Sequence, residues 1–98
     1  MSDFYDRRDL QAVTDFADPL ALFEFGFEAP QQSVLNDTSD TTFELSWDGL
    51  NVHARLASTG PTAAIAWEDH SRSRCFVRRM LGSGGAGAKN FIVMAATR

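Results

Sequence analysis

The sequence predicts an α+β domain, an N-terminal helix packed on a single antiparallel meander sheet of about five to six strands. Three observations carry that expectation. Near the start, Leu10, Val13, Phe16 and Ala17 repeat at helical spacing. From Leu22 the period changes to two, as in a strand with one buried face. The alternating runs are short and parted by polar or glycine-bearing turns, the pattern of strands joined as sequence neighbours.

Asp6 followed by Asp9 has the form of a helix N-cap with an acidic third residue, which predicts a helix over about residues 6–18. Pro19 closes it, because the residue before a proline is pushed out of the α region. Phe23, Phe25 and Phe27 alternate with Glu24, Gly26 and Glu28, a strand over 22–28 with three aromatics on one face. Residues 29–41, with Pro30, Asn36, Asp37, Ser39 and Asp40, read as a long polar loop. Strands over 42–48 and 50–57 flank Asp48 and Gly49 as a two-residue hairpin turn. That turn pairs Trp47 with Leu50, Leu45 with Val52 and Phe43 with Ala54, and sets Glu44 opposite His53. Ala63, Ile65 and Trp67 mark a strand over 62–68, apolar on both faces and therefore expected at the centre of the sheet. Residues 74–80 suit a strand or a helix closed by Gly82, and the running meander favours strand. A flexible glycine-rich loop over 82–88 and a last apolar strand over 90–97 complete the single domain, residues 1–98.

Composition narrows the function classes. A lone cysteine and an acidic start point to a reducing, cytoplasmic setting. The longest apolar run, residues 91–96, is far short of the roughly 20 residues a membrane-spanning helix needs, so no membrane partner is expected. No cofactor or metal is expected either. Glu68, Asp69 and His70 are consecutive and cannot all aim at one ion from a strand, and the glycine-rich segment departs from P-loop spacing at Lys89 and Asn90. Cys75 sits among Arg74, Arg78 and Arg79, neighbours that favour a thiolate, yet no histidine lies in a nucleophile signature, which leaves Cys75 as a small core hydrophobe. His53 with Glu44 would make a cross-strand base and carboxylate, a pair that on an outward face is ordinarily a weak surface contact. The chain is therefore expected to be non-enzymatic, with an enzyme of unknown chemistry standing third behind the two binding readings that follow.

Charge is the most uneven property of the sequence. Residues 1–70 hold 13 acids against three bases, a net −10, whereas residues 71–98 hold six bases and no acid, a net +6. Folding can neutralise the halves against each other, or leave surfaces of one sign that steer charged partners. Asp3, Asp6, Asp9, Asp15 and Asp18 recur along the expected helix, with Glu24 and Glu28 on the outer face of the next strand. Such an acidic face suits a protein partner with a basic surface, in the manner of an occluding inhibitor that imitates nucleic acid, as phage-type inhibitors do. The alternative surface is basic: Arg72, Arg74, Arg78, Arg79 and Lys89, interleaved with Phe76, would suit RNA, DNA or another polyanion. Self-association through the two oppositely charged halves is a third use of the same asymmetry.

Overall fold

The computed structural model describes residues 2–97 and contains eight strands. They are β1 (Asp3–Asp9), β2 (Leu22–Ala29), β3 (Gln31–Asp37), β4 (Phe43–Ser46), β5 (Ala54–Leu56), β6 (Ala64–Trp67), β7 (Arg72–Arg79) and β8 (Asn90–Ala96). Two single 3-10 turns, Pro19–Ala21 and Pro61–Ala63, precede β2 and β6. The strands form two four-stranded sheets, ordered β1-β8-β3-β6 and β2-β7-β4-β5, and every pairing is antiparallel. Each strand pairs with the one whose number makes nine with its own: β1 with β8, β2 with β7, β3 with β6 and β4 with β5. The chain is thus one long two-stranded ribbon, turned back at β4–β5 and rolled up, with β8–β3 and β7–β4 joining successive layers of the roll. This is the jelly-roll arrangement.

The core lies between the sheets. Phe23, Phe43, Leu45, Leu56, Cys75 and Val77 from the second sheet face Val34, Phe91, Val93 and Ala95 from the first, all buried. Phe43 and Phe91 meet across the gap with ring centroids 4.8 Å apart, in the tilted geometry that aromatic quadrupoles favour. Two inward positions of β3 are polar, and both side chains are fully engaged. Asn36 donates through Nδ2 to the carbonyls of Thr41 and Leu56 and accepts through Oδ1 from Thr38. Gln32 donates to the carbonyls of Ala29 and His70 and accepts from Arg72. Burying an amide is tolerable only on such terms.

Several expectations are overturned. The fold is all-β, a two-sheet sandwich, and not an N-terminal helix on one sheet; there is no α-helix among the described residues. Strand β1 takes in residues 6–9 of the expected helix, with Phe4, Asp6 and Arg8 on one side and Asp3, Tyr5, Arg7 and Asp9 on the other. Leu10, Val13 and Phe16 are indeed buried, but they lie on successive turns of the connection that passes from β1 to β2. The aspartates explain why no helix forms there: Asp9, Asp15 and Asp18 each accept the backbone N–H two residues on, from Gln11, Ala17 and Leu20. Those local bonds compete with the helical ones.

The hairpin is real but its register is two residues looser. Phe43 pairs with Leu56, Glu44 with Arg55 and Leu45 with Ala54, around a loop of residues 47–53. Asp48 organises that loop by accepting from Ser46 Oγ and from the N–H groups of Leu50 and Asn51. A slip of two preserves the face of every side chain, so Phe43, Leu45 and Leu56 still point inward while Leu50 is left 83% exposed. Trp47 packs edge-on against Trp67, with centroids 5.1 Å apart. The expected loop over 29–41 contains β3, and β6 is an edge strand instead of a central one.

Candidate functional site

The outer face of the first sheet is the most distinctive surface of the molecule. Register fixes which side chains meet on it. One row across the strands reads Tyr5, Met94, Ser33, Ala66, and the next reads Asp3, Ala96, Gln31. Trp67 is paired with Gln32, so Glu68 follows at the end of β6 beside Gln31. Small side chains at Ala96, Ser33 and Ala66 between longer ones at Tyr5, Glu68 and Gln31 leave a groove of about 410 Å³. Its lining is mainly apolar, contains the two carboxylates Asp3 and Glu68, and includes no Lys or Arg. Tyr5 stands 63% exposed along one wall. At the other end of the same face Arg7 donates to Asp37 Oδ2 at 3.0 Å, bridging from β1 to β3 over β8, so the nearest cation on the face is already paired.

The acids singled out in the sequence are dispersed. Asp3 lines the groove. Asp6 points toward the sandwich edge and binds Arg8, which stacks on Phe23 at 3.9 Å and donates to the carbonyls of Leu20 and Leu22. Asp9, Asp15 and Asp18 serve the turns described above, and Asp9 also accepts from the Lys89 N–H; these bonds from backbone N–H groups hold the Asp9 carboxyl below its ordinary pKa. Glu24 and Glu28 are exposed on β2. No common helix face unites the seven.

Most of the basic set is engaged internally. Lys89 is 5% exposed and donates to both carboxylate oxygens of Asp40, at 2.9 and 3.0 Å. Arg78 donates to Glu44 at 2.9 Å and stacks on Phe16 at 4.0 Å. Arg55 reaches the other Glu44 oxygen. Burial pushes the Glu44 carboxyl up, the two guanidinium groups outweigh it, and the net direction is down. A smaller hollow of about 280 Å³ lies beside this pair, lined by Thr14, Met80 and Leu81 as well. Arg72 lies over the Trp47 ring at 3.9 Å and donates to Gln32 and Asp69. Arg79 donates to the carbonyls of Gln11 and Ser83. Arg74 has no ion-pair partner among the described residues and lies 5.5 Å over Phe76. The glycine-rich loop is tied at Ser83, which bonds Thr42 and Met80, and at Gly85, whose N–H donates to Asp40.

The catalytic pairs weighed in the sequence do not assemble. His53 Nδ1 accepts from the Trp47 N–H, while Glu44 turns to arginine. His70 contacts Asp69 in an exposed turn. Cys75 is fully enclosed, and burial pushes its thiol up to about 12 against a small opposing effect of Arg8. Among the described residues there is no group of three metal-ligating side chains, and no helix is long and apolar enough to cross a membrane. The groove was not legible as a unit, because its residues come from four strands and become neighbours only through register. Asp3 had been singled out for another reason. Tyr5, alternating with Asp3 and Arg7, carried the one local signal. Comparison with protein-family models, curated proteins and solved structures finds no match to this chain.

Proposed function

We propose that the chain is a non-enzymatic binding protein that receives a basic protein partner on the outer face of its first sheet. The observation that carries this reading is the groove itself: concave, apolar at its floor, acidic at two rims and free of cations among its lining residues. Binding sites combine an apolar surface with a few placed polar groups, and a surface of one charge sign selects partners of the other and speeds their encounter. Such a protein acts by occupancy. Where the covered surface of the partner otherwise holds nucleic acid, the result is inhibition. A reducing cytoplasmic setting suits it, since the single thiol, Cys75, is spent on the core.

The test uses the partner that co-purifies with the tagged chain from its native host after nuclease treatment. Replacing Asp3 and Glu68 by Lys should reduce association, chiefly through the on-rate, and the loss should shrink as salt rises, because exposed charges are screened within about 8–10 Å at physiological ionic strength. The matched pair Glu24 and Glu28 to Lys, exposed and outside the groove, should change little. Equal effects of the two pairs would show that net charge, and not the groove, governs association.

A further inference from the structure

Asp3 and Glu68 are unusual among the acids of this chain. Nine of the 13 are occupied by an arginine, a lysine or backbone N–H groups; Asp3, Glu24, Glu28 and Glu68 have no such partner among the described residues. Two of these four flank one groove, at its opposite sides. Asp3 lies on edge strand β1 and Glu68 at the end of edge strand β6, with β8 and β3 between them. Their backbones are therefore three strand spacings apart, roughly 14 Å.

That spacing has a natural complement. An extended chain advances roughly 3.3 Å per residue and turns every second side chain to the same side, so residues i and i+4 present like-facing side chains roughly 13 Å apart. The side chain of i+2 then falls midway, on the low apolar floor at Ala96 with Met94 alongside and the longer, polar Gln31 beside it. Tyr5, two residues along β1 from Asp3, offers its ring to whichever cation sits at that end. The Gln31 carboxamide supplies a donor and an acceptor for the occupant's backbone.

We infer, resting on the function proposed above, that the groove reads an extended segment of the form basic–x–apolar–x–basic, laid across the strands with its two cations on Asp3 and Glu68. Recognition is by distance between charges, with the apolar side chain as the central anchor.

Three synthetic peptides of equal length test this by fluorescence anisotropy and by titration of the 15N-labelled protein: one containing Arg-Ser-Leu-Ser-Arg, one of the same composition with its arginines two apart, and one with glutamate in place of arginine. Spermine serves as a polycation without a peptide backbone. The expected result is amide shifts confined to residues 3–5, 31–33, 66–68 and 94–96, and affinity for the first peptide about 3- to 10-fold above the second, the loss expected from one partly exposed ion pair with its aromatic contact. Asp3→Asn and Glu68→Gln should each erase that difference, while Glu24→Gln and Glu28→Gln leave it intact. Equal affinity of the two arginine spacings, with shifts still in the groove, would overturn this inference and leave the proposed function standing. Spermine binding as tightly as the first peptide would also overturn it. Shifts elsewhere, or none with any basic peptide, would overturn both.

Discussion

Phe43 and Phe91 come from different sheets, and their contact exists only because the sheets pack face to face. A double-mutant cycle on this pair therefore tests the sandwich directly. Both rings are completely buried, and truncating either to Ala would cost about 3–5 kcal/mol. Two such losses would approach the whole stability expected of a chain this long, about 5–15 kcal/mol, and the double mutant would unfold. Leu is the better probe, since it retains most of the apolar volume and keeps each single cost below the Ala figure. The rings stand 4.8 Å apart and 58° out of parallel, a geometry in which aromatic pairs contribute about 0.5–1.5 kcal/mol beyond their buried area. Urea unfolding of the wild type, Phe43→Leu, Phe91→Leu and the double variant should give a coupling energy in that range. Distant sites add to within about 0.3–0.5 kcal/mol, so a coupling indistinguishable from zero would mean that the rings do not touch and that the two sheets are not packed as described.

Four further outcomes are expected. Glu44→Gln should destabilise by about 1–3 kcal/mol in urea unfolding, because Arg78 and Arg55 lose their shared charged acceptor; an unchanged midpoint would show that water replaces it at no cost. Gly49→Ala should cost more than Gly82→Ala: both glycines have φ near +80°, at 79° and 83°, but a methyl at Gly49 would meet Phe76 at 3.2 Å whereas at Gly82 it enters open space. Equal costs would leave the contact with Phe76 without weight. Cys75 should be silent to an aromatic disulfide reagent in the folded protein and react once in denaturant, since its thiol is buried and held near 12. The Asp40 carboxyl, lowered to about 2 by the Gly85 N–H, Lys89 and Thr41, anchors the glycine-rich loop above the ordinary carboxylate pKa and should release it as pH falls through about 2; a Gly85 amide shift with a midpoint near 4 would contradict that.

Strands with clean alternation were legible. Phe23 and Phe25 on β2, and Phe91 and Val93 on β8, announce their buried faces in any register. β3 was hidden because two of its three inward residues are Gln32 and Asn36, whose burial makes sense only once Thr41, Leu56 and His70 carbonyls are brought to them. The first segment misled for a related reason. Leu10, Val13 and Phe16 are core residues at a three-residue interval, and a string of turns crossing the end of a sandwich produces that interval as readily as a helix does. The aspartates between them held the discriminating information, because short side chains that satisfy the backbone locally belong to turns. The hairpin erred in length and register: Asp48 and Gly49 do lie in the connection, but Asp48 caps a wider loop, and Leu50 and Val52, expected on the inner face, stand exposed. The charge split, finally, is resolved in part by ion pairs across it, Glu44 with Arg78 and Asp40 with Lys89.

Because β8 lies between β1 and β3, the first sheet has no continuity until residues 90–96 have left the ribosome. At translation rates of roughly 5–20 residues per second, the nascent segment spends seconds with β1 lacking its only partner and β3 paired on one side alone. Over that interval it is also strongly anionic, with a net −10 across residues 1–70, and self-repulsion of that size keeps emerging chains apart. The cations of residues 71–98 follow, on the same stretch that brings β7 and β8. The order of charges along the chain thus coincides with the order of pairing: the cations lie on the same stretch whose strands, β7 and β8, close the roll.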